Sequence, residues 1–181
     1  MSTVKWRIPA REDLAAILGL MDDPASVHRR TICRHGSLPE SPEQLDARLR
    51  LDENLLGEKD GKGCVAFASW QWVDIFHAHI NVMAVAGHVQ RQGLGTALFR
   101  TIVTLIRRRG AQSLTLRAFA DSPWALSFYE GLGLSRLVNG GKDRTLPDGV
   151  HLYLAQARAH GTWPDDQRVL FYQDLRVLRD R

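Results

Sequence analysis

The chain has 181 residues, of which 44% are hydrophobic and 24% charged, as expected for one folded, soluble domain of ordinary size. Its net charge of +4 is compatible with an anionic ligand, but the sequence lacks the dense basic stripe typical of nucleic-acid-binding proteins. The two cysteines, Cys33 and Cys64, show neither metal-ligand spacing nor a disulfide framework. Because no signal peptide and no long apolar run is visible, we expect a cytoplasmic protein that does not span a membrane.

The first 51 residues predict one strand and two helices. The alternating stretch VKWRIPA, residues 4–10, predicts the strand, and residues 11–21 have apolar side chains at helical spacing. Residues 22–40 are rich in proline and glycine and are predicted to be a loop. Ser41 is a strong N-cap for the second helix, because Pro42 takes the first helical position and Gln44 follows three residues after the cap.

The middle of the chain predicts a hairpin, a central strand and a long helix. Residues 54–73 form the hairpin, with KDGKG at 59–63 as its turn. HAHINVMAVA, residues 77–86, is predicted to be a long central strand. The helix that follows presents one apolar face and ends at Gly110.

The rest of the chain predicts further strands and one short helix. SLTLRAFA (113–120) is a strand, and SPWALSFYEGLG (122–133) is a helix with Ser122 as its N-cap. Residues 134–141 and 149–157 are expected to form a closing strand pair, and 168–178 an edge strand or a short helix. The fold class is therefore α/β (α+β), with helices on both faces of a mixed, mostly antiparallel sheet of six to seven strands.

The stretch VMAVAGHVQRQGLGTALFR, residues 82–100, joins the central strand to the long helix through two glycines. Such a junction leaves several backbone N–H groups without partners at the positive end of a helix, which favours a bound phosphate. A nucleoside-triphosphate loop is excluded because Gly95 is followed by Thr96 rather than by lysine. The dinucleotide fingerprint is disfavoured because Leu98 replaces its third glycine, and an ordinary tight turn is the remaining alternative.

A second motif, together with the glycine junction, gives a more specific indication of function than the junction alone. QRQGLGTAL, followed about 30 residues later by SPWALSFYEGLGL, resembles the GNAT superfamily of N-acetyltransferases over residues 4–158. The matching positions are Gln90, Gly93, Gly95, Ala125, Phe128, Tyr129, Glu130 and Gly133. Ser122, Gly87 and Leu134 depart from the usual asparagine, proline and phenylalanine. We expect one GNAT domain over residues 1–181, in which 160–181 are a C-terminal extension.

The resemblance implies that acetyl-CoA is the cofactor and that this strand, turn and helix hold it. The loop amides would bind its pyrophosphate, and the preceding strand would pair with the pantetheine arm. An N–H near Met83 or Ala84 would face the thioester oxygen as a small oxyanion hole. The cofactor-binding positions are Met83, Ala84, Val85, Gln90, Arg91, Gln92, Gly93, Leu94, Gly95, Thr96 and Ser122.

The resemblance also implies an acid and a base for direct attack by an amine in a ternary complex. Tyr129 takes the family's position for the phenol that protonates the departing sulfur. Asn81 stands where family members often have a basic glutamate, so His79, two residues earlier on the same strand face, is the candidate base. Water-mediated deprotonation, Asp74 and Asp121 are the alternatives.

The acceptor is expected to be a primary amine, either a small molecule or an amino acid. Arg29 and Arg30 in the loop over 22–40 would suit an acceptor that carries a carboxylate or a phosphate. Trp70 and Trp72, together with Asn81, are the other predicted substrate contacts, although aromatic side chains packed in the core explain the tryptophans equally well.

Three matters stay open at this point. The acceptor could instead be a protein or peptide, and the domain could be a catalytically idle acyl-CoA-binding module. Dimerisation is common among GNAT proteins, so a homodimer is possible. No nucleic-acid partner and no membrane partner is expected.

Overall fold

The computed structural model describes residues 3–35, 40–137, 145–163 and 167–177. Its helices are α1 (Leu14–Met21), α2 (Val27–Arg34), α3 (Pro42–Leu51), α4 (Leu94–Arg108), α5 (Pro123–Gly131) and α6 (Asp148–Ala159). Its strands are β1 (Val4–Arg7), β2 (Glu53–Lys59), β3 (Gly63–Asp74), β4 (His77–Val85), β5 (Ser113–Phe119), β6 (Ser135–Arg136) and β7 (Arg168–Asp174).

These seven strands form a sheet in the order β1-β2-β3-β4-β5-β7-β6. β1 with β2, β2 with β3, β5 with β7 and β6 with β7 are antiparallel pairs. β4 and β5 are parallel, and their pairing runs from His77↔Ser113 to Ile80↔Leu116. A parallel pair needs a long crossover, and α4 provides it. The predicted mixed and mostly antiparallel sheet is confirmed.

The chain divides into two compact units. The first comprises Met1–Gln71 and Asn81–Val103, and the second comprises Trp72–Ile80 and Thr104–Arg181. The strands β3 and β4 each contribute residues to both units. The expected single domain over 1–181 stays a prediction.

The first unit is built on the antiparallel strands β1, β2 and the first part of β3. Arg7 on β1 donates hydrogen bonds to Asp13 at 2.6 Å and to Glu58 of β2 at 2.7 Å. This bidentate pairing connects the strand to the segment that leads into α1. Fully buried apolar side chains from strands and helices form the core, among them Ile17, Leu45, Leu56, Phe67, Leu98 and Ile102.

The second unit has helices on both faces of β5 and β7. Thr115 on β5 pairs with Tyr172, whereas the next residue, Leu116, pairs with Phe171, so the two pairs point to opposite faces. The α6 helix covers the Thr115 face, where His79 approaches both Thr115 and Tyr153 of α6. The α5 helix covers the other face, where the ring of Tyr129 lies 5.5 Å from that of Phe171.

The prediction of an unbroken loop over residues 22–40 is wrong, because Val27–Arg34 form α2. The hydroxyl of Ser26 accepts a hydrogen bond from the Arg29 N–H at 3.1 Å and caps this helix. The prolines and glycine that indicated a loop flank the helix rather than interrupt it. Residues 36–39 lie outside the described part of the chain.

The predicted strand over 149–157 is also wrong, because these residues belong to α6. Val150, Leu152 and Leu154 alternate in the sequence, which favoured a strand. In the structure the buried positions are instead Val150, Tyr153, Leu154 and Ala157, at helical spacing. The strand predicted to pair with it, over 134–141, is reduced to β6, and its residues 138–141 lie outside the described part.

The C-terminal segment is a strand within the sheet rather than an edge strand or a helix. Residues of β7 pair with β5 on one side and with β6 on the other. The hairpin over 54–73 and the capping box at Ser41, in which Ser41 and Gln44 exchange hydrogen bonds, are confirmed. Among the described residues, no helix is both long and apolar enough to span a membrane.

Candidate active site

The glycine junction connects β4 to α4 in the first unit. Arg91 has φ +61° and Gly93 has φ +79°, so two left-handed residues turn the chain immediately before α4. The hydrogen bond from the Ala97 N–H to the Gly93 carbonyl, 3.0 Å long, opens the helix. The first N–H groups of an α-helix have no intrahelical acceptor, so the amides from Gly93 to Thr96 face the helix N-terminus. This turn has the geometry of an anion-binding nest.

Two side chains brace this junction from behind. The Gln90 amide donates to the Val85 carbonyl at 2.8 Å and so closes the turn onto the end of β4. The Gly87 N–H donates to Asp23 in the loop between α1 and α2 at 2.7 Å. A Cβ at Gly87 would lie 2.5 Å from that of Ala25. The proline that GNAT proteins often have at this position would therefore clash with Ala25 and lose the bond to Asp23.

The last residues of β4, from Asn81 to Val85, lead into the junction within the same unit. Asn81 is exposed, Met83 and Val85 are half-buried, and Ala84 is buried. Because side chains alternate along a strand, Asn81 and Met83 share one face and lie about 7 Å apart along it.

A carboxylate that the sequence analysis missed contacts Asn81. Oδ2 of Asp52, between α3 and β2, accepts hydrogen bonds from Ser69 at 2.6 Å and Asn81 at 2.8 Å. Arg48 donates to the same oxygen at 3.2 Å. Within the described part of the chain, these three bonds all use Oδ2, and Oδ1 accepts none. The side chain of Asp52 is only 10% exposed, so its carboxylate is held firmly beside β4.

Arg48 connects Asp52 to a second carboxylate. Its guanidinium also donates to Glu40 Oε1 at 2.8 Å, and the Glu40 side chain is 12% exposed. Glu40 lines a pocket of about 190 Å³ between α1, α2 and the start of α3. Asp52, Glu40 and this pocket therefore all belong to the unit that carries the glycine junction.

The predicted base His79 lies in the second unit and is 4% exposed. Its Nδ1 lies 2.9 Å from Thr115 Oγ1, and its Nε2 lies 3.3 Å from the hydroxyl of Tyr153. Its ring stacks on that of Tyr153 at 4.3 Å. Thr115 Oγ1 also lies 2.9 Å from Nε2 of the buried His77. Burial lowers the pKa of His79 to about 3, so the ring is neutral and enclosed by its partners.

The predicted acid Tyr129 and its neighbour Ser122 also lie in the second unit. Tyr129 is half-buried, and its ring contacts those of Phe128 at 5.2 Å and Phe171 at 5.5 Å. Burial raises the pKa of Tyr129 to about 12, so the phenol keeps its proton at neutral pH. Ser122 is buried and precedes α5, but its side chain makes no capping hydrogen bond.

The predicted substrate residues are distributed between the units. Arg29 on α2 forms an ion pair with Asp22 at 2.8 Å, which offsets its charge, whereas Arg30 is exposed. Trp70 is 2% exposed and belongs to the core of the first unit. Trp72 is half-buried in the second unit, with the Arg109 guanidinium 5.3 Å from its ring centroid.

Together the fold, the glycine junction and the α5 motif define an acetyltransferase-like domain, and comparison with known proteins identifies the family. The profile of the Acetyltransferase (GNAT) family matches residues 25–134. The chain belongs to this family, as the sequence analysis expected.

Several known proteins are similar to this chain. N-alpha-acetyltransferase 30 of Schizosaccharomyces pombe (strain 972 / ATCC 24843) is 34% identical over 58 residues, which span 32% of this chain and 39% of that protein. The ribosomal-protein-S18-alanine N-acetyltransferase of Escherichia coli has a TM-score of 0.63 at 21% identity, covering 94% of this chain and 91% of that one. The PaiA N-acetyltransferase of Thermoplasma acidophilum, in complex with coenzyme A, has a TM-score of 0.70 at 12% identity, covering 95% and 99%. These structural matches establish a shared fold.

Proposed function

We propose that this chain is an acetyl-CoA-dependent N-acetyltransferase that acetylates a primary amine of a small molecule or amino acid. The observation that carries the proposal is the glycine junction after β4, with Arg91 and Gly93 in left-handed conformation, in a chain that belongs to the GNAT family. The acetyl group passes directly from thioester to amine in a ternary complex. The cytoplasm is the expected compartment.

The donor-binding part of the proposal uses backbone groups. The amides from Arg91 to Thr96 hold the pyrophosphate, and the exposed Arg91 adds a positive charge. The Gln90 N–H is not available for this role, because it donates to the Gly87 carbonyl at 3.3 Å. The junction fits a bound diphosphate, because a Cβ built at Gly93 would meet no atom within 4 Å and the turn is open on that side. Acetyl-CoA supplies an activated acetyl group and a thiol leaving group. The backbone of Met83, Ala84 and Val85 holds the pantetheine arm.

Tyr129 is the proposed acid. Its phenol keeps its proton at neutral pH and gives it to the departing sulfur. A tyrosine with a lower pKa would be partly ionised and would lose this function. Replacement of Tyr129 by phenylalanine removes only the hydroxyl and therefore tests this role directly.

For the base we favour Asp52 over His79. Amine attack needs a group that accepts a proton from the acceptor ammonium. Asp52 contacts Asn81, which lies two residues before Met83, and all three donors to Asp52 leave its Oδ1 available. By contrast, both ring nitrogens of His79 are already engaged inside the second unit. This arrangement supports a structural role for His79.

The acceptor amine belongs to a small molecule, with a protein or peptide as the alternative. One similar protein is named an N-alpha-acetyltransferase and another a ribosomal-protein-S18-alanine N-acetyltransferase, so a protein or peptide acceptor is the alternative. The pocket of about 190 Å³ at Glu40 is smaller than the roughly 300–1,000 Å³ of most ligand pockets, so it has room only for a small molecule or a small part of one. A thiol-release assay with acetyl-CoA distinguishes the two when small amines and peptides are compared at equal concentration. Turnover with peptides alone would overturn the small-molecule assignment.

An idle acyl-CoA-binding domain remains the other candidate, because Asn81 and Ser122 depart from the usual catalytic pattern. The same assay decides between the candidates. CoA binding without thiol release for any acceptor in the panel would support the idle domain and contradict the enzyme.

A further inference from the structure

The pocket between α1, α2 and the start of α3 contains buried polar atoms without partners. Nε2 of His28 and Oε2 of Glu40 are fully buried and make no hydrogen bond with the described part of the chain. An unsatisfied buried polar atom destabilises the folded state, and native interiors rarely keep one. Both residues line the pocket. Two hydrogen-bonding atoms without partners therefore lie in the pocket wall.

The charges around the pocket do not favour an anion. Glu40 and Asp52 share the single guanidinium of Arg48, which leaves one negative charge uncompensated among these three groups. Arg29, which also lines the pocket, pairs with Asp22 and adds no net charge. Burial and the positive charges of Arg29 and Arg48 lower the pKa of His28 to about 4, so its ring is neutral at pH 7. One positively charged group on a ligand would compensate the remaining negative charge.

The rest of the lining is aliphatic. Leu18 and Met21 come from α1, Ile32 comes from α2, and Pro42 begins α3. These side chains form an apolar wall for a short hydrocarbon chain. In the tautomer with its proton on Nδ1, His28 Nε2 is a hydrogen-bond acceptor, as is Glu40 Oε2, so each atom can accept a hydrogen bond from an ammonium group.

We infer that this pocket binds the non-reacting ammonium group of a short aliphatic diamine, and that a diamine is the preferred acceptor class. The inference rests on the proposed acetyltransferase function. Glu40 and Asp52 lie on either side of the Arg48 guanidinium, so one carboxylate holds the distal ammonium while the other holds the reacting end. This differs from the sequence-based expectation of an acceptor with a carboxylate, because Arg29 is already paired with Asp22.

The test compares three amines of matched length: 1,4-diaminobutane, 1-aminobutane and 4-aminobutanoate. Thiol release from acetyl-CoA by the full chain gives kcat/KM for each. We expect 1,4-diaminobutane to exceed 1-aminobutane by about 10- to 100-fold, as one charge-assisted hydrogen bond provides. 4-Aminobutanoate should be the poorest acceptor. Preference for 4-aminobutanoate, or equal use of all three, would overturn the inference while leaving the acetyltransferase activity established.

Variants test whether the pocket at Glu40 causes the preference for 1,4-diaminobutane. Glu40→Gln should reduce the ratio of kcat/KM between 1,4-diaminobutane and 1-aminobutane at least about tenfold, and Ile32→Trp should fill the pocket and raise KM for 1,4-diaminobutane. Glu12→Gln, at an exposed position outside the pocket, is the control that keeps the parent ratio. Calorimetric titration with CoA reports separately on folding and donor binding. A ratio that Glu40→Gln leaves unchanged in a CoA-binding protein would contradict the inference, and absence of CoA binding by the parent would instead contradict the proposed function.

Discussion

The phenol of Tyr129 makes the sharpest prediction at the scale of single residues. Tyr129→Phe removes one hydroxyl and preserves the ring contacts with Phe128 and Phe171. We expect kcat to fall by about 10²- to 10⁴-fold, the usual contribution of a general acid, while the Kd of CoA changes little. Stopped-flow thiol release and calorimetry measure the two quantities. Unchanged kcat would remove Tyr129 from the chemistry.

Asp52 makes the second residue-level prediction. Asp52→Asn keeps the shape of the side chain but removes its ability to accept a proton. We expect kcat to fall by about 10²-fold or more at pH 7, with CoA affinity retained. Asp46→Asn is the matched control, because Asp46 is a carboxylate of the same helix region that pairs with Arg50 instead.

Stability measurements separate catalysis by Asp52 from a purely structural role. A catalytic loss in Asp52→Asn lowers kcat while the urea unfolding midpoint and the Kd of CoA stay at their parent values, whereas a structural loss lowers stability together with kcat. If His79→Gln lowered kcat without loss of stability and Asp52→Asn kept the parent kcat, His79 would be the base instead of Asp52.

At the scale of elements, the contact between α6 and β4 depends on one glycine. A Cβ at Gly149 would lie 2.4 Å from the Cβ of His77, and both positions are buried. Gly149→Ala should therefore force α6 away from β4 and destabilise the protein by about 1–3 kcal/mol. Urea unfolding measures the change.

Gly19→Ala is the control for this prediction. Gly19 lies inside α1, and an added Cβ would meet nothing within 4 Å. Alanine has the higher helix propensity, so this variant should be about 0.5–1 kcal/mol more stable. Equal stability changes at the two positions would show that α6 does not approach β4 as closely as described.

At the scale of the whole molecule, buried neutral histidines make stability depend on pH. Burial lowers the pKa of His77 to about 4 and that of His79 to about 3, whereas an unfolded histidine titrates near pH 6.5. Below about pH 6.5 the unfolded chain binds protons that the folded chain does not. The stabilisation is therefore complete above that pH and is lost as the pH falls.

We expect the free energy of unfolding to decrease by about 2 kcal/mol per buried histidine between pH 7 and pH 5. Urea titrations at pH 7, 6 and 5 measure it. His79→Gln should reduce the decrease by about 2 kcal/mol, the share of one buried histidine, and His88→Gln, at an exposed position outside these contacts, should leave it unchanged. Stability that stays constant across this range would contradict the buried network.

How far the sequence predicts this molecule depends on the range of the interactions. The glycine junction and the Ser41 capping box are local, so residue types and spacing indicated both. Residues of α6 are predicted as a strand because Val150, Leu152 and Leu154 alternate in the sequence. Packing of α6 against β5 favours the helix instead, and the local sequence does not show that packing. The contact of Asp52 with Asn81 joins residues 29 positions apart, and no local pattern encodes it.

The central claim is that backbone amides at the junction of β4 and α4 hold a diphosphate. The most direct measurement is calorimetric titration of the full chain with CoA and with pantetheine, which lacks the diphosphate and the adenosine. We predict one CoA per chain, bound at least about 100-fold more tightly than pantetheine, as several amide hydrogen bonds to an anion provide. No heat of CoA binding to the folded protein, or equal affinity for the two ligands, would contradict the account.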